Sequence, residues 1–149
     1  MAIARGAGTE IIRAHHFAGI ADTAKPIIYG VRHHIYTVLS VICEAQALNA
    51  VGDWINMFLS AYDANPGTAQ HALHIFKQNM QVGQTYVWND KFSFNGYEPV
   101  DFAGPMDDAT KQDAIADQGS SVAQKLRIVT EHADDDFRVV VTYIDQNNA

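Results

Sequence analysis

Eight runs rich in β-branched, aliphatic and aromatic residues, separated by turn signals, constrain this chain more than any other feature. They cover 9–17, 26–31, 33–44, 53–62, 71–80, 84–95, 122–131 and 137–145. Short strands at this spacing predict an all-β domain, and their number suits an antiparallel two-sheet β-sandwich. The punctuation agrees: "ANPGT" at 64–68, "VGQ" at 82–84 and "FNGYEP" at 94–99 fall at strand ends. Asn95-Gly96 is read as the positive-φ pair of a tight turn.

Alternation says which side chains face inward. In 122–131, Leu126 and Ile128 share one face and Lys125 and Arg127 the other, the pattern of a half-buried strand. Other strands are apolar on both sides. In 53–62 one face carries Ile55, Met57, Leu59 and Ala61, and the other carries Trp54, Phe58 and Tyr62. In 33–44 the faces read Ile35, Leu39, Val41, Cys43 and Tyr36, Val38, Ile42. A small sandwich covers only one side of each strand, so either a neighbouring subunit or the long loops must cover the second, and the subunit is favoured. Two segments, "NAVGDWINMFLSAYDA" and "QHALHIFKQNM", also fit an amphipathic helix, because short apolar runs are ambiguous by period. The stretch 104–121 reads as an acidic loop excursion, with Asp107 and Asp108 placed to open a short helix. One domain is expected over 10–147, behind a flexible N-terminal arm at 1–9.

Charge is lopsided. Residues 1–100 carry six Lys and Arg against seven Asp and Glu, and 101–149 carry four against ten, so −1 and −6 make the net −7. An acidic surface disfavours a phosphate backbone, and no nucleic-acid partner is expected. The start "MAIARGAGTE" lacks the apolar centre of a signal peptide, and nowhere do 18 apolar residues run together. The expectation is a soluble protein made in the cytoplasm, with no membrane partner. The lone Cys43, inside an apolar run, reads as a buried hydrophobe and not a nucleophile.

Histidine doublets at His15-His16 and His33-His34 raise the question of a metal. Adjacent residues on a strand point to opposite faces, so each doublet offers one ligand at most. A site would need one ring from each doublet and a carboxylate such as Glu10 or Glu44, and no spacing enforces that. The pair His71 and His74 has helical spacing without the glutamate of a metalloprotease motif. The acidic row Asp134, Asp135 and Asp136 lacks calcium-loop spacing and reads as a solvated turn. There is no His-x-His, no Gly-x-Ser-x-Gly and no phosphate loop. No metal, cofactor or catalytic residue is assigned, and the doublets are read as strand ends with one ring packed and one wet.

The course from 8 to 59, "GTEIIRAHHFAGIADTAKPIIYGVRHHIYTVLSVICEAQALNAVGDWINMFL", the stretch "QNMQVGQTYVWNDKFSFNGYEPV" at 78–100 and the close "FRVVVTYIDQN" at 137–147 resemble small virion proteins of tailed bacteriophages. The likeness is one of pattern, and the acidic excursion departs from it. It implies a jelly-roll-like sandwich, trimeric association and a place on the virion exterior. On that resemblance the expected function is non-enzymatic: a capsid decoration, or cement, protein made in the host cytoplasm, with itself and the major capsid protein as partners. The expected trimer interface is Trp54, Phe58 and Tyr62, and the expected capsid contact is Ala2, Ile3, Arg5 and Thr9. The alternative is a tail-fibre or tail-tip receptor-binding component on the same fold. A third reading, an enzyme or sugar-binding jelly roll, would use Tyr86 and Trp88 as a stacking platform; their place on one strand face beside "NDKF" predicts burial in the core instead.

Overall fold

The structure is a computed structural model that describes residues 8–63, 68–99, 108–110, 112, 113 and 121–148, with side chains described for all of these except 61–63, 68–71, 98, 99 and 121. Eleven strands are described: β1 (Thr9–Ile20), β2 (Lys25–Tyr29), β3 (His34–Ala47), β4 (Trp54–Asp63), β5 (Thr68–Asn79), β6 (Thr85–Trp88), β7 (Phe92–Asn95), β8 (Tyr97–Pro99), β9 (Ser121–Ala123), β10 (Lys125–Thr130) and β11 (Asp136–Asn147). The two segments that also fitted helices are β4 and β5, paired antiparallel over their length. Tertiary pairing decides where local period cannot.

The first sheet runs β1-β11-β3, with β6 and β7 end to end along the far side of β3. The second runs β2-β10-β4-β5. If β6 and β7 count as one interrupted strand, the chain places its strands as two interleaved four-strand sheets, the arrangement of a jelly roll. The sandwich read from the sequence is therefore what forms. The ribbon β8–β9 stands apart from both sheets, and the acidic excursion leaves and returns through it. Within that excursion Ala109, Thr110, Gln112 and Asp113 are helical, with Gln112 N–H donating to the Asp108 carbonyl at 3.2 Å; Asp107 lies outside the described residues.

One core fills the space between the sheets. Val38, Val41, Cys43, Phe137, Val139 and Val141 from the first sheet meet Ile28, Ile55, Met57, Leu126 and Ile128 from the second, all buried. Each such side chain stabilises the fold by about 1.5–3 kcal/mol relative to exposure. β10 and β11 keep strict alternation, as their sequences require. β3 does not: its register against β11 slips between Val38 and Ser40, opposite Tyr143 and Thr142. This bulge shifts the phase, so the inward set is Tyr36, Val38, Val41, Cys43 and Ala45, and Ile35 and Ile42 lie on the other side. The single-phase faces read from the sequence are corrected accordingly.

Two turn readings resolve differently. Gly83 turns "VGQ" with φ of 82°. Asn95 and Gly96 have no positive φ; Gly96 is instead a point of close approach, where an added Cβ would collide with the backbone of Val31. The turn expected at "ANPGT" lies, over 64–67, outside the described residues.

Candidate interaction surfaces

At one end of the first sheet's inner face, Arg13 of β1, Asp145 of β11 and His34 of β3 form a polar row. Asp145, nearly buried, receives Arg13 Nε at 3.1 Å on Oδ2 and lies 2.6 Å from His34 Nδ1 through Oδ1. His15 Nε2 lies 3.1 Å from the Tyr143 hydroxyl with the rings stacked, and Tyr36 accepts the Val31 N–H at 2.9 Å. Burial pushes the Tyr36 phenol up to about 12, against the Val31 N–H it accepts, with Asp145 and Tyr143 pushing the same way. Burial likewise raises Tyr143. One ring of each doublet faces inward, as alternation demands, while His16 is exposed and His33 turns the chain into β3 at φ of 64°. A His–Asp pair is the orienting half of a nucleophilic triad. Here its neighbours are aromatic rings and a guanidinium. Cys43 lies nine residues further along β3, about 30 Å away at strand rise, and burial pushes its thiol up to about 12.

A second polar cluster was not legible in the sequence, because its members come from segments some 80 residues apart. Asp53, Glu131 and His132 place one ligand atom each within 4.8 Å of one another. Each carboxylate also accepts a backbone N–H: Asp53 Oδ2 that of Ala50, within its own turn, at 3.0 Å, and Glu131 Oε2 that of Trp54, at the start of β4, at 3.3 Å. His132 Nε2 stands 3.8 Å from Asp53 Oδ1. Beside them Asp135 corrects the reading of a solvated acidic turn: Asp134 and Asp136 are exposed, but Asp135 is buried and accepts N–H groups from Asn49 at 2.9 Å and His132 at 3.0 Å. Burial alone would raise its carboxyl. The two backbone donors, with Asp53 and Thr130 beside them, outweigh that and hold it below the usual carboxylate value.

A third surface feature is apolar. On the outer face of the first sheet Ile12 sits opposite Ile144, and Val140 lines up with Ile42 and then Val87 across β11, β3 and β6. Ile12 is 72% exposed, Val87 52% and Ile42 37%. Val140 and Ile144 are half-buried, and the rim carries Glu10, His16, Glu44 and Arg138.

The outer face of the second sheet carries its own cover. Trp54 and Phe58 share it, as the period predicts, and both are half-buried. Lys77 Nζ lies 4.7 Å from the Trp54 ring centre, the His74 ring packs 5.7 Å from Phe58, and His74 is hydrogen-bonded to Asn56. The side chain of Tyr62 lies outside the described residues, as do Ala2, Ile3 and Arg5. Thr9 is the exposed first residue of β1, opposite Asn147. Tyr86 and Trp88 point inward onto Phe76, Trp88 stacked and Tyr86 tilted, so they pack against the core and form no exposed platform.

No protein-family model and no curated protein matches this chain. Among solved structures it is similar to a protein of Bacillus endospore appendages, described as disulfide-linked pili, at 11% identity over 100% of this chain and 97% of the other, with a TM-score of 0.44. It is also similar to chains of infectious bursal disease virus. The Gt strain gives 7% identity, 99% of this chain against 38% of that one and a TM-score of 0.40; the Gx strain gives 9%, 99%, 40% and 0.39.

Proposed function

We propose that this chain is a non-enzymatic virion structural protein: a trimeric capsid decoration protein that binds the outside of an assembled head and reinforces it. The observation that carries the reading is the apolar outer face of the first sheet, where Ile12, Val140, Ile144, Ile42 and Val87 form a patch spanning four adjacent strands. Exposed apolar side chains gathered on one sheet face, here in two groups either side of Thr142 and Ser40, mark a docking site on a stable fold. The residues Ala2, Ile3 and Arg5, which precede β1 in the sequence, and Thr9 are assigned to the shell contact as well. The second sheet's aromatic pair, Trp54 and Phe58, is assigned to packing between the three copies. A protein that binds only the closed shell lowers its free energy relative to ruptured states, and three contacts on one rigid body act together.

The test is sedimentation of the protein with undecorated heads and, separately, with isolated tails. The wild type is expected to pellet with heads, in proportion to shell protein. A Val140→Lys, Ile144→Lys double variant should stay in solution while melting at the wild-type temperature, since both side chains already reach solvent. Wild type that ignores heads and pellets with tails would replace this reading by a tail component.

A further inference from the structure

Strand β1 ends the first sheet. It pairs with β11 on one side, and among the described residues no strand pairs with its other side. Such an edge is a row of backbone donors and acceptors that recruits another strand unless a proline, a lysine, a bulge or an unpaired inward charge blunts it. Between Glu10 and Phe17 there is no proline and no lysine. The register with β11 runs unbroken from Thr9 to Phe17, and the irregularity comes only between Phe17 and Ile20. The inward charge is Arg13, and Asp145 already holds it at 3.1 Å. Nothing in this stretch blunts the edge.

We propose that β1 of a second copy occupies this edge, antiparallel and related by a two-fold axis at Arg13. That register sets Glu10 opposite the partner's His16, twice by symmetry, and Ile12 opposite the partner's Ala14. Both pairs lie on the outer face, where Glu10, Ile12, Ala14 and His16 are all exposed. The Glu10–His16 pair favours this register, because a carboxylate can accept the N–H of the imidazole directly across from it. The apolar pairing extends the stripe that runs from Ile144 through Ile12 into the second copy. On the inner face each Arg13 meets its symmetry mate and is balanced by its own Asp145. The contact is isologous and closes after two copies of the chain. It stands independently of the shell-binding proposal.

Disulfide trapping tests the register. Directly opposed strand residues stand about 5 Å apart at Cβ, close enough for a disulfide after small adjustment. Under mild oxidation a Glu10→Cys, His16→Cys double variant is expected to run as covalently linked chain pairs, and an equal mixture of the two single variants should also link. Each single variant alone should not, since neither residue faces its own copy, and Cys43 is buried. Melting of the reduced variants at the wild-type temperature shows that the fold is intact. Failure of the folded double variant to link, or equally efficient linking of the single variants, would overturn the pairing. Thiols of the double variant that stay unlinked in the protein alone and become protected from alkylation only after heads are added would show that a shell strand, and not a second copy, takes the edge.

Discussion

Asp135 sits in a row of three aspartates whose outer members behave as the row suggests, while it alone turns inward. Its carboxylate joins two connections, 48–53 and 131–136, through the N–H groups of Asn49 and His132. Because its folded pKa lies below the ordinary 3.8, the ionised form is what the fold favours. Its contribution is present above pH 3.8 and is lost as pH falls further, through the folded value. Urea unfolding is therefore expected to show stability dropping below that pH. Asp135→Asn should cost about 2 kcal/mol at neutral pH, the scale of hydrogen bonds to a charged acceptor, and should flatten the acid limb. An unchanged acid limb in the variant would assign the loss to other carboxylates.

At the scale of elements, the decisive junction is where β2, β7 and β10 meet. Gly30 N–H donates to the Gln124 carbonyl at 2.8 Å, Gln124 N–H to the Gly96 carbonyl at 2.8 Å, and Gly96 N–H to the His34 carbonyl at 2.8 Å. This chain of backbone bonds links the two sheets at one corner, and it forms only because two of its members lack side chains. A Cβ on Gly30 would overlap the carbonyl oxygens of Gly96 and Gln124, which are backbone and cannot swing aside. Gly30→Ala is expected to cost about 3 kcal/mol, as severe overpacking does. Gly52→Ala meets nothing within 4 Å and carries only the strain of φ at 90°, so about 1–2 kcal/mol is expected there. Chemical denaturation of both variants checks the order; a milder effect at Gly30 would mean that the corner opens without loss.

For the whole molecule the question is how the two outer faces divide between copies and shell. Trp54 and Phe58 lie where a trimer contact was expected, yet each already has a neighbour in its own chain, Lys77 and His74. That makes Trp54→Asp a clean probe, because the new carboxylate would find Lys77 beside it and the monomer fold should survive. Light scattering of the wild type is expected to give a mass that is a multiple of three chains, and the variant the mass of the two chains that the β1 edge joins. A folded wild type with single-chain mass at micromolar concentration would remove the trimer from the proposal.

What the residues alone determined is the class and the phase of most strands. Runs of β-formers between turns imposed an all-β sandwich, and period two placed Leu126 and Ile128 inward, Trp54 and Phe58 outward, and His15 and His16 on opposite sides of β1. These outcomes follow from backbone geometry that every strand obeys. Tertiary structure decided the rest. Pairing made strands of two segments that also fitted helices. One extra residue in β3 moved Ile42 to the outer face and so completed an apolar patch that no single strand displays. Segments some 80 residues apart brought Asp53 to His132, and backbone closeness, not turn conformation, explained Gly96. Each depends on which strand lies beside which, information carried by the packed core as a whole and by no local stretch of the chain.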